Sequence, residues 1–255
     1  MTEKNAGAAL VTGAGKRVGR AIALALAEAG FAVAVHYRSS STEADEVVAQ
    51  IKSKGGKAGA VQADLSNETE TAALTAKALA AVGRLTLLVN SASVFENDSI
   101  ASMTRESWDK HIETNLRAPL KLAQDFAAQA EAGSDNLIVN IIDQRVLKLT
   151  PQFLSYTASK TALFTLTKTL AQALGPDGVR VNAVGPGPVL KNPRQSDDDW
   201  KRQNEATILG HGATPADICD ALLYLVSARS VTGQMIAVDG GQHLAWQTPD
   251  VLVKE

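Results

Sequence analysis

A lone cysteine, Cys219, leaves no partner for an internal disulfide and cannot build a cysteine-rich metal site. Lying in a helical pattern near the C-terminus, it reads as a small core residue, with a reactive thiol as the alternative. Neither sign of charge is in excess: 25 Lys and Arg stand against 27 Asp and Glu, a formal net charge of −2. That balance gives no electrostatic case for nucleic acid or an anionic membrane as partner. Long apolar runs are missing too. None reaches membrane-spanning length, and residues 1–5 lack the apolar core of a secretory signal. A cytoplasmic protein without a metal centre is therefore expected. Solenoid-period repeats, low-complexity tracts and evident linkers are lacking. Aromatic residues make up only 4% of the chain, so a phenylalanine at a strand end stands out.

What is there is an ordinary globular composition, 45% hydrophobic and 20% charged, and a length that suits one large α/β domain over 1–255. Residues 8–11 form an apolar run ending in Thr12-Gly13-Ala14-Gly15-Lys16-Arg17-Val18-Gly19. An Ala- and Leu-rich stretch to Gly30 and a second apolar run, 31–35, complete a strand–turn–helix–strand unit. Glycines let such a turn approach a ligand closely, and free N–H groups at a helix N-terminus suit a phosphate. The spacing Gly-x-Gly-x-x-x-Gly departs from the common dinucleotide fingerprint, and a merely tight turn is the plainer reading. The second strand ends in His36-Tyr37-Arg38-Ser39. An acid there would bind a ribose 2′-hydroxyl, whereas a guanidinium and hydroxyls suit a 2′-phosphate. NADP(H) is the expected cofactor, with Arg38 and Ser39 as its contacts and Arg17 reaching from the other side. Solvated loop residues are the alternative.

Further strands are expected at 58–62, 85–89, 137–142, 179–184 and 235–238, with helices at 43–54, from an Asn67 cap to about 82, at 107–129 with an interruption near Pro119, from 155 to about 174, and from Thr214-Pro215 onward. Strands alternating with helices imply an open, doubly wound parallel sheet covered on both faces. Small polar residues, Asn90-Ser91-Ala92-Ser93, follow one strand and lead to Phe95, which either covers a flat ring or fills core. Residues 190–211 are polar and irregular, a mobile lid spanning about 188–213.

Tyr156 and Lys160 are four apart and share a helix face. A lysine ammonium one turn away favours the phenolate and lowers the tyrosine pKa, so the pair can pass a proton to a neighbouring atom. By itself the spacing also describes two surface residues. A kink at Asn115 is expected to direct its backbone or side chain to the lysine.

In order and spacing, Thr12-Gly13 with Gly19, Asp64, the Asn90 cluster, Asn115, Tyr156-x-x-x-Lys160, Pro186-Gly187, Val231-Thr232-Gly233 and Asp239-Gly240-Gly241 resemble a short-chain dehydrogenase/reductase along essentially the whole chain. Arg17 stands where that family usually has a glycine, Ser93 and Phe95 replace the end of its Asn-Asn-Ala-Gly motif, and Asp143 holds the place of its catalytic serine. With the His-Tyr-Arg-Ser strand end, these departures resemble the pteridine reductases and related dihydromonapterin and dihydrofolate reductases. Ser91, in place of the second Asn, departs even from that subgroup.

The resemblance implies NADP(H) held by Gly13, Arg17, Val18, Gly19, His36, Tyr37, Arg38, Ser39, Asp64, Leu65, Asn90, Ser91, Ala92, Tyr156, Lys160, Pro186, Gly187 and Val189. It implies a pterin-like substrate held by Arg17, Ser93, Phe95, Asp143 and Tyr156, catalysis by Asp143, Tyr156, Lys160 and Asn115, and a homotetramer. An ionised aspartate would repel the growing charge on a ketone oxygen, where a hydroxyl would donate. A pterin instead offers amino and ring N–H groups that a carboxylate accepts. A carbonyl reductase acting on a 3-oxoacyl thioester, sugar or quinone is the nearest alternative, and a dinucleotide-binding regulatory protein without turnover is a third.

Overall fold

Successive residues of the short apolar runs face opposite ways, and in the central runs of this chain both ways are buried. In the computed structural model, which describes residues 7–131 and 133–248, these runs are strands β1 (Ala8–Val11), β2 (Ala32–Tyr37), β3 (Ala58–Gln62), β4 (Leu85–Asn90), β5 (Asn136–Ile141), β6 (Val179–Pro186) and β7 (Met235–Val238). Every neighbouring pair is parallel, in the order β3-β2-β1-β4-β5-β6-β7. The helices are α1 (Arg17–Glu28), α2 (Ser41–Ser53), α3 (Glu68–Val82), α4 (Arg105–Ile112), α5 (Ala118–Ala128), α6 (Leu154–Leu174), α7 (Asp197–Glu205) and α8 (Pro215–Ser227).

Ala9 and Val11 of β1 and Val33 and Val35 of β2 pack with Ile22 and Leu26 of α1, Val47 and Ile51 of α2, and Ile218 and Leu222 of α8. The alternate residues Ala8, Leu10 and Ala34 pack on the other face with Leu74 and Ala78 of α3 and Leu122 and Phe126 of α5. Two apolar layers on one sheet explain why its central strands lack a polar face. β4 shifts register between its partners Ala8 and Ala9, so Leu85 and Leu88 fall on one face and Leu87 and Val89 on the other. Cys219 is buried on α8, and burial raises its thiol to about 11, as suits an inert core residue.

The expected element ends mostly hold to within two residues, but two expectations change. The interruption in 107–129 is a π-helical turn, Glu113–Arg117, and Pro119 sits harmlessly in the first turn of α5. The stretch read as irregular carries α7, capped where the Ser196 side chain accepts the Asp199 N–H. No helix among the described residues is long and apolar enough to cross a membrane. Residues 1–6, read above as lacking a signal core, and 249–255 lie outside the described residues.

Candidate active site

The strand order reverses between β1 and β4, and the crevice at their C-terminal ends opens into a cavity of about 1020 Å³. Two close approaches shape its floor. A Cβ on Gly19 would stand 2.2 Å from the Gly13 carbonyl oxygen, so only glycine lets α1 start against the turn. A Cβ on Gly187 would meet the backbone of Asp239 at 2.7 Å, which holds the loop after β6 against the loop after β7.

Of the residues expected to hold a dinucleotide, all but Asn90 line this cavity. His36 is nonetheless a buried brace: Nδ1 accepts the Gly13 N–H at 3.0 Å and Nε2 donates to the Ala63 carbonyl at 3.1 Å. Burial lowers its pKa to about 4, so the ring is neutral with its proton on Nε2. Arg38 and Ser39 are exposed at the rim, and their side chains make no hydrogen bond among the described residues. Asp64 is occupied by the N–H and hydroxyl of Ser66. Tyr37, Leu65, Ser91, Ala92, Pro186 and Val189 complete this half with the Val18 turn. Asn90 lies behind the wall, where its amide donates to Asn140 Oδ1 at 2.9 Å and its own Oδ1 is buried without a hydrogen-bond partner among the described residues. Arg17 has a left-handed φ of 50° at the position where the resembled family keeps glycine, and its guanidinium donates to the carbonyls of Leu190 and Lys191. It thereby ties the glycine-rich turn to the segment before α7.

At the inner end three ionisable groups converge. The Tyr156 hydroxyl donates to Asp143 Oδ2 at 2.8 Å, and Asp143 Oδ1 accepts the Arg145 N–H at 2.7 Å. Lys160 Nζ donates to the Ile141 carbonyl at 2.8 Å and stands 5.9 Å from the Tyr156 ring centre. Burial raises the Asp143 carboxyl above the usual carboxylate range, only partly offset by the N–H of Arg145 and the phenol. Burial lowers Lys160 to about 8. The expected fall in the tyrosine pKa does not occur: burial first, then the charge of Asp143, pushes the phenol well above 10. Tyr156 is therefore a phenol that donates to a carboxyl.

Asn115 is fully buried in the π turn, and of its two expected routes to Lys160 the side chain is engaged elsewhere. Its Oδ1 accepts the Val94 N–H and its amide donates to the Val94 carbonyl and to Ser159 Oγ, so it fixes the loop after β4 against α6. Ser93 donates to the same Oδ1 at 3.3 Å.

Phe95 lies flat on Phe153, with ring centres 4.4 Å apart and planes at 2°, and meets Tyr156 edge-on at 4.7 Å. One face of the ring expected to cover a pterin is thus against a second phenyl. Phe153 precedes α6 with a left-handed φ of 58° and lies 5.0 Å from the Arg145 guanidinium carbon. No local side chain caps α6. Its first N–H groups are met from the loop after β4: Asn97 Oδ1 accepts from Phe153, the Asp98 carbonyl from Leu154 and Asp98 Oδ1 from Ser155. Buried Asp98 also accepts from the hydroxyls of Ser155 and Ser107, tying α4 to the start of α6. Asp98, Phe153 and Arg194, whose guanidinium donates to the Phe95 carbonyl at 2.9 Å, were not expected from sequence.

Residues 13–243 match a family model described as enoyl-(acyl carrier protein) reductase. The 3-oxoacyl-[acyl-carrier-protein] reductase FabG of Staphylococcus aureus is 34% identical over 240 residues, covering 92% of this chain and 98% of the relative. An uncharacterized oxidoreductase of Methylorubrum extorquens is 38% identical over 248 residues, 94% of this chain and 99% of its own. Among solved structures, the FolM alternative dihydrofolate reductase 1 of Brucella suis, in complex with NADP, is 44% identical with a TM-score of 0.93, covering 98% of this chain and 99% of that one. Matched length, motif order and sheet topology agree: the chain belongs to the short-chain dehydrogenase/reductase superfamily of oxidoreductases.

Proposed function

We propose that the protein is an NADPH-dependent reductase of a pterin or dihydrofolate-like ring. The carrying observation is the 2.8 Å bond from Tyr156 to Asp143, a carboxyl at the place of the family's usual catalytic serine. The residues present fit a dinucleotide carrying a 2′-phosphate. The first turn of α1 has no side-chain cap, leaving N–H groups for a pyrophosphate, and the free guanidinium of Arg38 with Ser39 suits the extra phosphate. When bound, NADPH supplies a hydride to the carbon of a ring C=N bond. The chain's own residues deliver the proton that the adjacent nitrogen then takes up. Asp143 lines the cavity with its carboxyl raised by burial, and with the phenol of Tyr156 that donates to it forms the acid–base pair through which that proton passes. Lys160, near neutrality at about 8, stands behind as the reservoir and a hydrogen-bond donor to a nicotinamide ribose. Asn115 holds the loop that carries Ser93 and Phe95. The segment 188–213 closes over the site as a lid, latched by Arg17 and Arg194.

The relationship to the FolM protein at 44% identity supports this reading. The relationship to the FabG protein at 34% favours the second, reduction of a 3-oxoacyl thioester or other ketone. NADPH oxidation against a panel of dihydropterins, dihydrofolate and ketones separates them: turnover is expected with the ring substrates, and turnover with ketones alone would establish the second reading. As in the resembled family, a cytoplasmic homotetramer is the proposed assembly.

A further inference from the structure

Gln144, next along the chain from Asp143, opens a single 3-10 turn, Gln144–Val146, capped where Asp143 Oδ1 accepts the Arg145 N–H at 2.7 Å. The Gln144 carbonyl accepts the N–H groups of Leu147 and Lys148 at 2.8 and 3.3 Å, and Lys148 Nζ donates to the Gln242 carbonyl at 3.4 Å. The backbone that carries Gln144 is therefore fixed on both sides. Its side chain is not. Gln144 is 7% exposed and lines the cavity, yet its Oε1 is buried without a hydrogen-bond partner and its Nε2 makes no hydrogen bond among the described residues. Arg145, by contrast, is engaged: its guanidinium donates to Thr150 Oγ1 and lies against the Phe153 ring. An amide that pairs with nothing in a wall so poor in water is destabilising. A methionine or leucine would close the same wall without that penalty.

We infer that Gln144 is a specificity-determining residue whose side-chain amide pairs with a ring amide of the substrate, an oxo group beside a ring N–H. A glutamine amide carries one acceptor and two donors, and its two ends are nearly equal in size. A turn about the last side-chain bond therefore presents the edge that a ligand requires. A cyclic amide is its reciprocal partner: the ring N–H donates to Oε1 while Nε2 donates to the ring oxygen. Two consecutive residues then divide the work. Asp143, with Tyr156, serves the ring nitrogen that takes up a proton, and Gln144 fixes which way round the ring lies. The inference rests on the ring-reductase reading and deepens it. A ring without the oxo and N–H edge leaves the Gln144 amide unpaired in the complex and is rejected for that reason. The carboxamide of a nicotinamide has the same chemistry, and the experiment separates the two.

The test compares a dihydropterin with the same ring lacking its oxo group, and with it the ring N–H. Their Kd values are measured by calorimetry on NADP⁺-loaded wild type, Gln144→Met and Gln144→Leu. The wild type should prefer the oxo ring, and each substitution should shrink that preference by about three- to tenfold, the worth of one neutral hydrogen bond or two. The Tm of the ligand-free variants should equal or exceed that of the wild type, because an unpaired buried amide has been removed. An unmoved preference with a lowered Tm makes Gln144 a structural residue and overturns the inference. An unmoved preference with a raised KM for NADPH assigns the amide to the nicotinamide and also overturns it. In both cases reduction of the dihydropterin by the wild type leaves the ring-reductase reading intact. Failure of the wild type to bind or reduce the dihydropterin overturns both.

Discussion

The Tyr156 hydroxyl lies 2.8 Å from Asp143 Oδ2, and this contact reverses the usual expectation for a tyrosine four residues before a lysine. The neighbour that governs the phenol is an acid from the loop after β5, and the lysine bonds a backbone carbonyl instead. The phenol is held protonated, and under the proposed function proton delivery to the ring runs through this hydroxyl and carboxyl. Replacing Tyr156 by Phe keeps the ring that meets Phe95 but removes that link. Turnover should fall by about 10²–10⁴-fold while NADPH still binds, as cofactor fluorescence titration would show.

Selectivity for the phosphorylated dinucleotide should rest on Arg38. Its guanidinium makes no hydrogen bond among the described residues and sits at the cavity rim with Ser39. In Arg38→Ala, KM for NADPH should rise by about 10–100-fold, the worth of a charge-assisted contact, with KM for NADH little changed. Equal losses for both dinucleotides would assign Arg38 another role.

His36 gives an acid-sensitive term in stability. Its folded pKa is about 4 against an ordinary 6.5, so between these values the unfolded chain takes up a proton that the folded chain refuses. The contribution is complete above pH 6.5 and is lost as pH falls toward 4, amounting to about 3 kcal/mol. His36→Gln, which can still accept from Gly13 and donate to Ala63, should show a flatter loss of Tm between pH 7 and 4.5 than the wild type.

Asp98 joins α4 to the start of the helix that carries Tyr156 and Lys160. Asp98→Ala would leave the Ser155 N–H and the hydroxyls of Ser155 and Ser107 without their buried acceptor. A loss of about 2–4 kcal/mol is expected in urea unfolding. Asp98→Asn, which retains one acceptor, should lose less.

Much of this was legible along the chain because it depends on local pattern. Strands Ala58–Gln62 and Met235–Val238 follow from short apolar runs between turn residues, and the glycine-rich turn, the Asn67 cap and the Tyr156–Lys160 spacing are fixed by neighbours within a few residues. The features that were not legible depend on distant partners. Asp98 caps α6 across 57 residues, and Arg194 reaches the Phe95 carbonyl across 99. The stack of Phe95 on Phe153 brings together two loops that carry no shared periodicity. The direction of the Tyr156 shift was misjudged because a spacing of four places the lysine on the same helix face but says nothing of an acid arriving from another strand end. The Asn115 side chain serves Val94 and Ser159, and the π turn that carries it has no sequence marker of its own.

The carboxyl at 143 is tested most directly by exchanging it for the hydroxyl that the superfamily usually carries. Stopped-flow oxidation of NADPH with a dihydropterin should be at least about 100-fold slower in Asp143→Ser than in the wild type, with NADPH affinity preserved. Equal rates in the two proteins would contradict the assignment of ring protonation to Asp143.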